Sequence, residues 1–281
     1  MVDPMVGAAA AHLAKASDAY NSEAAKAGAS LWMKFLGPPV EAMGRHLQRR
    51  VELWSEDALA NRVLRKAADK VDPSAEGSVP PRVASDIFDK AQWAEDEFVA
   101  EYLSGVLASA RTTDAADDSA ISWTALVGRL SSAQLRLHYI LYSTARHHLL
   151  GRTIDATNDL DDLPIFAPLL PIIALLPGGV DAFNDAMANL EREGLLSPRF
   201  DVDTQSGRLA NIKQIPAEPV IVYRITLAGA LLFFRGGGSR TTALKRFSDP
   251  AHDLRFDDCA SIPSPIAGSA LWNSLPDASE S

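Results

Sequence analysis

The spacing of apolar residues predicts a mainly α-helical chain. In the clearest helix an apolar residue recurs every fourth position, giving a stripe of Phe98, Tyr102, Val106 and Ala110. Acidic residues 95–97 precede this stripe, where negative charge complements the positive end of a helix. Similar stripes within 83–91, 121–130 and 137–144 predict three further helices, and Ser131 is expected to cap the last of them.

The next well-defined helix follows the Gly-Gly pair at 178–179. Its stripe consists of Phe183, Met187 and Leu190. We expect Asp181 to cap its start, and Gly194 stands where a left-handed C-cap is expected.

Two extended segments are predicted after this helix. The first starts at Leu195-Leu196, a polar loop follows, and the second covers the β-branched and aromatic residues 220–223. Thr226 is then placed to cap a last helix that ends at the glycines 236–238. Helix, strand, loop, strand and helix in this order is typical of a winged helix.

The fold class predicted is therefore mainly α, with a helical N-terminal region and a winged-helix-like C-terminal unit that carries a small two-stranded β wing. The turn-rich residues 72–78 are the best boundary, since they contain proline, glycine and serine. This divides the chain into a helical N-terminal region (1–71), a helical and winged-helix-like domain (79–235) and a loosely ordered tail (236–281), where prolines are frequent.

The segment from Leu163 to Gly179 is the one apolar run that raises the question of a membrane. It has no charged residue but contains four prolines, and a spanning helix needs about 20 apolar residues. Each proline removes a backbone donor and disfavours helix at the preceding residue. We predict a buried, partly extended connector and no stable membrane insertion.

Charge and cysteine content indicate the compartment and the partners. The formal net charge is −9, which repels phosphate backbones and anionic lipid unless a local basic patch exists. The single cysteine, Cys259, cannot form an internal disulfide, and residues 1–11 lack the features of a secretory signal. We therefore expect a cytoplasmic protein.

Two groups of arginines are the candidate contacts for nucleic acid or a protein partner. They are Arg45, Arg49, Arg50 and Arg62 in the basic stretch 40–70, and Arg199 and Arg208 in the wing. The basic stretch also contains acidic residues, which favours an ordinary solvated helix face. The helix before the wing carries Asp181, Asp185, Glu191 and Glu193 against Arg192 alone, which favours protein contact over DNA binding.

No enzyme, metal or cofactor is indicated by the sequence. His147 and His148 are about 100° apart on a helix and His138 adds no zinc-type spacing, so surface histidines are expected. The acidic residues Asp155, Asp159, Asp161 and Asp162 lack the glycine and glutamate of a calcium loop. The glycines 236–238 lack the Gly-Lys-Ser/Thr ending of a phosphate-binding loop and follow a helix.

Taken together, these segments resemble the abortive-infection alpha (Abi-alpha) family, a bacterial domain family of undetermined biochemical function. The similar segments are Val79-Pro80-Pro81 to Ala110, Trp123 to Tyr139 with its Leu130-Ser131-Ser132, and Asn189 to Leu196 followed by Tyr223 to Gly229. Leu36-Gly37-Pro38 and Glu41 to Gly44 are similar to an upstream part of the family pattern, whereas 163–179 departs from it.

The resemblance covers about residues 31–234 and consists of caps, turns and core positions, so it supplies a fold and no active site. It implies a role in bacterial defence against phage. Our leading hypothesis is a non-enzymatic defence protein that acts through contacts with an unidentified protein partner or through a conformational change. The alternatives are a DNA-binding regulator that uses the winged helix, with the basic stretch as an auxiliary patch, and an enzyme with an unrecognised site.

Overall fold

The computed structural model describes residues 31–32, 35–36, 50–51, 53–72, 74, 76–154, 159–160, 163–197, 218–259 and 261–274, and the backbone of 201–203. These residues form a mainly α-helical structure with a small antiparallel sheet, as the apolar periodicity predicted. The helices of the first part are α1 (Ala58–Lys70), α2 (Pro81–Ala91), α3 (Glu97–Ser109), α4 (Ala120–Val127) and α5 (Ser132–Leu149). The remaining elements are β1 (Ile165–Pro168), α6 (Leu169–Ala174), α7 (Gly179–Arg192), β2 (Asp201–Asp203), β3 (Val220–Tyr223), α8 (Leu227–Gly236) and β4 (Ala270–Leu271).

Helix α3 is the centre of the helical part. It is buried along nearly its whole length and packs on α1, α2, α4, α5 and α8. At its crossing with α8, a Cβ added to Gly105 would lie 1.9 Å from the carbonyl oxygen of Gly236. The two backbones can approach this closely only because Gly105 lacks a side chain. A Cβ on Gly236 would instead lie 2.8 Å from the ring of Tyr102.

Two of the three predicted N-caps, Thr226 and Ser131, are confirmed. Thr226 accepts a hydrogen bond at the start of α8. Asp96, which was expected only to add negative charge at the start of α3, also caps that helix, since its side chain accepts from the amide of Phe98 (2.8 Å). Ser131 forms a reciprocal capping box with Gln134. The prediction for Asp181 is wrong, because α7 starts at Gly179 after a left-handed Gly178 and Asp181 lies inside the first turn.

The sheet has the strand order β2-β3-β1-β4, and all neighbours are antiparallel. The sequence of elements α5-β1-α6-α7-β2-β3 is the winged-helix order, and β3 is the second strand of the predicted wing. The first strand was expected to start at Leu195-Leu196, where the structure has an isolated bridge between Leu196 and Ile225, and β2 starts at Asp201.

The apolar segment 163–179 is more than a connector, because it contains β1, which lies at the centre of the sheet between β3 and β4. All four residues of β1 (165–168) are buried. The prolines around this stretch disfavour a helix but are compatible with a short strand.

The connector also supplies the helix α6, which has six residues. Within the part of the chain that the structure describes, no helix combines the length and the apolar character required to cross a bilayer.

Residues on both sides of 72–78 contribute to one hydrophobic core. Trp32, Phe35 and Trp54 belong to the same buried cluster as Val83 and Phe88. The amide of Val79 donates to the carbonyl of Phe35 (2.7 Å). The turn-rich segment therefore connects helices of a single core.

The C-terminal segment, residues 239–274, differs from the prediction of a loosely ordered tail. Its buried side chains include Phe247, Phe256, Cys259, Ile262 and Ile266, and β4 pairs with β1. The prediction is wrong for the described residues because prolines exclude regular helix here but do not prevent burial. The apolar residues are spaced irregularly along a segment of turns and short 3₁₀ helices that covers α3, α5 and α8.

Candidate interaction surface

Helix α7 lies directly before the wing, the position of the DNA-reading helix in many winged-helix proteins. Its buried side is formed by Phe183, Ala186, Met187 and Leu190 and packs on α5 and α6. The opposite side faces solvent, so the residues exposed there determine which kind of partner it suits.

A Schellman motif fixes the end of α7 and directs the chain into the wing. Gly194 has a φ of 70°, and its amide donates to the carbonyl of Glu191 (2.9 Å). The amide of Leu195 donates to the carbonyl of Leu190 (2.8 Å). Glycine adopts this left-handed conformation without steric cost, as predicted for Gly194.

Tyr142 of α5 anchors both the start of the wing and the start of α8. Its hydroxyl donates to the carbonyl of Leu195 (2.6 Å) and accepts from the amide of Thr226 (2.9 Å). A Cβ at Gly229 would lie 1.8 Å from this hydroxyl oxygen, so the contact requires glycine there. This buried hydroxyl holds α7 in a fixed orientation through the backbone that follows it.

The solvent side of α7 has an excess of negative charge. Asp181, Asp185 and Arg192 are exposed, and half-buried Glu193 pairs with Arg129 of the loop after α4 (2.8 Å). A helix that binds the phosphates of DNA should be basic, because each neutralised phosphate contributes through counterion release. The exposed charges of α7 do not meet this requirement.

Apolar side chains are also exposed on α6 and at the start of α7, where Val180 directly precedes Asp181. Leu170 of α6 and Val180 of α7 are each 54% exposed, and Pro171, Ala174 and Pro177 are also exposed. We call Leu170, Val180, Asp181, Asp185 and Arg192 the α6–α7 surface. Exposed apolar residues bordered by charge are characteristic of protein-interaction sites.

The apolar part of this surface was missed in the sequence analysis, which assigned the connector to the interior. The signal was nevertheless present in the pair Leu169-Leu170. Adjacent residues point about 100° apart on a helix, so two neighbouring leucines on a short helix that packs on one side need not both be buried. Leu169 is buried and Leu170 is exposed.

Of the candidate arginines, the structure describes Arg50 and Arg62, whereas Arg45, Arg49, Arg199 and Arg208 lie outside the described residues. Arg50 forms an ion pair with Asp89 of α2 and lies over the ring of Trp54 (5.0 Å to the centroid). The guanidinium of Arg62 donates to the backbone carbonyls of residues 94–96 between α2 and α3. Both arginines therefore make intramolecular contacts that join helices, and the structure does not bring them near the α6–α7 surface.

A buried charge cluster uses two more cations of the basic stretch. The Glu101 carboxylate of α3 accepts from the ammonium groups of Lys66 (3.1 Å) and Lys70, and the side chains of Lys70 and Glu101 are each 1% exposed. Burial lowers the pKa of Lys70, and the Glu101 carboxylate opposes this shift. Lys70 also donates to the carbonyl of Arg255, so the cluster fastens the C-terminal segment to α1 and α3.

Cys259 lies close to this cluster and is itself buried. Burial, followed by the Glu101 charge, raises the pKa of its thiol to about 12. A protonated, inaccessible thiol is a poor nucleophile.

The three histidines of α5 differ in environment. His147 is exposed and His148 is half-buried with Nε2 2.8 Å from the Ser269 hydroxyl, but His138 is fully buried, which corrects the expectation of a surface residue. Its Nε2 donates to the carbonyl of Gly229 (3.1 Å), and its Nδ1 accepts from the Tyr102 hydroxyl (2.6 Å). This assignment follows because a carbonyl oxygen can only accept.

The acidic residues after α5 and the glycines after α8 are the remaining candidates for metal or phosphate binding. No group of three or more possible metal-ligating His, Cys, Asp or Glu side chains occurs among the described residues; Asp155, Asp161 and Asp162 lie outside them. The glycine run after α8 forms a second Schellman motif. The amide of Ser239 donates to the carbonyl of Phe234 (2.9 Å) and that of Gly238 to Arg235 (3.0 Å), so these glycines terminate a helix.

No family model, curated protein or solved structure matches the chain. The class of protein is thus defined by its own fold, a mainly helical protein with a winged-helix-like unit and a small antiparallel sheet.

Proposed function

We propose that the protein acts by binding another protein through the α6–α7 surface, and that it serves in bacterial defence against phage. The first part is supported by the exposed Leu170 and Val180 next to Asp181 and Asp185. The second part is supported by the resemblance to the Abi-alpha family. We further propose a cytoplasmic, non-enzymatic protein, because the single cysteine favours a reducing compartment and the sequence contains no recognised catalytic pattern.

The mixture of apolar and acidic side chains is the single observation that carries the protein-contact proposal. Removing apolar surface from water contributes roughly 25 cal/mol per Å², which favours a partner that covers Leu170 and Val180. Carboxylates at the edge of such a contact favour a partner with positive charge at the matching position, and they increase the rate of association with it. The same carboxylates would repel a nucleic acid.

The test is a phage-infection assay in bacteria that express the wild-type chain or Leu170→Arg. We expect the wild type to reduce plaque formation for at least one phage of a broad panel, and Leu170→Arg to lose that protection. Leu53→Arg is the matched control, because Leu53 is 57% exposed on helical residues 53–56, remote in sequence from α6. Equal protection by both variants would exclude the α6–α7 surface, and no protection by the wild type would remove the defence role.

DNA binding remains the second candidate because the order of elements is that of a winged helix. It is tested by fluorescence anisotropy of the purified chain with random-sequence duplex DNA at low and near-physiological salt. Protein contact predicts no binding at either salt concentration. Binding that weakens steeply with salt would instead favour the regulator, and Arg199 and Arg208 would be the first residues to replace.

A further inference from the structure

A solvent-accessible cavity of about 290 Å³ lies between α5, α8 and the C-terminal segment, away from the α6–α7 surface. Ligand sites usually measure roughly 300–1,000 Å³, so this cavity suits a molecule of one ring and excludes a dinucleotide-sized cofactor. We propose that it binds a small planar organic anion, a single aromatic ring that carries a carboxylate. This proposal is independent of the protein contact proposed above.

The floor of the cavity is aromatic. The rings of Phe233 and Phe256 are stacked with centroids 4.8 Å apart, and Tyr139 lies 5.1 Å from Phe256 and 6.2 Å from Phe233. All three residues line the cavity. Tyr139 is 8%, Phe233 3% and Phe256 9% exposed, so a flat ring bound here would contact the exposed parts of these rings, in the offset or edge-to-face arrangement that aromatic pairs prefer.

The cavity also contains a cation that no carboxylate neutralises directly. Arg146 lines it, and its Nη2 donates to the backbone carbonyls of Asp249 (3.1 Å) and His252 (2.5 Å). The carboxylates of Asp249 and Asp253 are near enough to influence Arg146, but within the described part of the chain neither forms an ion pair with it. The guanidinium is thus held in place by neutral backbone groups. Burial lowers its pKa, and the charges of Asp249 and Asp253 oppose this shift; the group stays protonated and can donate to an anion.

His147 at the rim of the cavity is a second possible donor to an anion, and Ser143 is a position at which a larger side chain would fill the cavity. His147 is exposed and lines the opening, so its imidazole can donate to the second carboxylate oxygen. Ser143 lines the wall, and its hydroxyl donates only to the carbonyl of Ile140 within the same helix (3.2 Å). A larger side chain at 143 would fill the cavity without breaking a contact between elements.

The experiment is ligand-observed saturation-transfer NMR of the full chain with benzoate and with benzamide, its neutral equivalent of the same shape. We expect millimolar benzoate to bind and benzamide to bind roughly tenfold more weakly, since charge-assisted hydrogen bonds are about twice as strong as neutral ones. Ser143→Leu should abolish benzoate binding, whereas Ala188→Leu, which adds the same side-chain type on the exposed side of α7, should not.

His147→Glu provides a second variant at an exposed position that does not threaten folding. We expect it to weaken benzoate binding several-fold, whereas Arg192→Gln, which also changes the net charge by one unit at neutral pH, should leave it unchanged. Three outcomes overturn the proposal. They are absence of benzoate binding to the wild type, equal affinity for benzamide, and benzoate binding that survives Ser143→Leu in a folded protein.

Discussion

At the scale of single residues, the most consequential polar group is an imidazole without access to water. His138 is fully buried and bridges Tyr102 of α3 and Gly229 of α8. Burial lowers its pKa to about 3, although the hydrogen bond to Gly229 opposes the shift. The folded protein therefore requires the neutral form, which can donate through one nitrogen and accept through the other.

We predict that this histidine makes stability depend on pH between about 3 and 6.5. In that window the unfolded chain binds a proton at His138 and the folded chain does not, so stability is lost as the pH falls below 6.5. The loss attributable to this one group is at most roughly 5 kcal/mol. Urea unfolding at pH 7 and pH 4.5 measures it as a difference between the wild type and His138→Gln.

The glutamine variant should be less stable at pH 7 but should lose less stability on acidification. His147→Gln is the control, because His147 is exposed on the same helix and its replacement should leave the pH dependence of the wild type intact. If His138→Gln and His147→Gln respond identically to acid, the buried imidazole is not the group that titrates.

At the scale of elements, the crossing of α3 and α8 sets the shape of the core. The crossing point is formed by Gly105 and Gly236, whose backbones meet without an intervening side chain. Tyr102, one turn before Gly105, reaches His138 of α5 from the same helix. The close approach of α3 to α8 at Gly105 and the hydrogen bond between Tyr102 and His138 therefore involve the same part of α3.

Gly105→Ala should consequently destabilise the fold by about 3 kcal/mol, the upper end of what overpacking costs. The added Cβ would collide with the carbonyl of Gly236, a backbone group that cannot move aside. Alanine's better helix propensity, worth about 1 kcal/mol, offsets part of the cost. Urea unfolding followed by far-UV circular dichroism measures the change.

Gly128→Ala is the matched control. Its added Cβ would lie 2.6 Å from Cε of Lys90, the mobile end of a side chain that can shift at small cost. We expect a change below about 1 kcal/mol for this variant. Similar stabilities for both alanine variants would mean that α3 and α8 do not meet at Gly105.

The elements also show which parts of the fold the sequence could predict. Regular apolar stripes and capping residues were sufficient for α3, α5, α7 and α8, because both signals are local. The strand β1 was not predicted. Its four residues form a strand because they pair with β3, which lies more than 50 positions later in the chain. The exposure of Leu170 depends likewise on what α6 packs against, and only the doubled leucine hinted at it.

The arginines of the basic stretch illustrate the same limit for the candidate site. The sequence shows where the positive charges are along the chain, but it does not show what they contact. Arg62 donates to backbone carbonyls between α2 and α3, and Lys66 and Lys70 form ion pairs with the buried Glu101. The sequence pattern of an amphipathic helix is the same whether a charged residue on it faces water or a buried partner. The negative charge of α7, by contrast, could be read from the sequence, because it depends only on which residues the helix contains.

At the scale of the whole molecule, the C-terminal segment is part of the core. Phe247 is fully buried and its ring contacts those of Tyr142, Phe233 and Phe234. The segment is also held by Lys70, which donates to the carbonyl of Arg255, and by pairing of β4 with β1. Helices, sheet and C-terminal segment should therefore unfold together.

Phe247→Ala tests this coupling, because it removes a ring outside every helix while the measured signal comes from the helices. Replacing a buried phenylalanine by alanine costs roughly 3–5 kcal/mol, and we expect the whole helical signal in far-UV circular dichroism to unfold at lower urea concentration by that amount. Ala267→Ser, at an exposed position of the same segment, should have almost no effect. If Phe247→Ala leaves the helical transition unchanged, the segment contributes nothing to the core. The aromatic floor of the proposed anion site, which needs Phe256 from this segment, would then lose its basis as well.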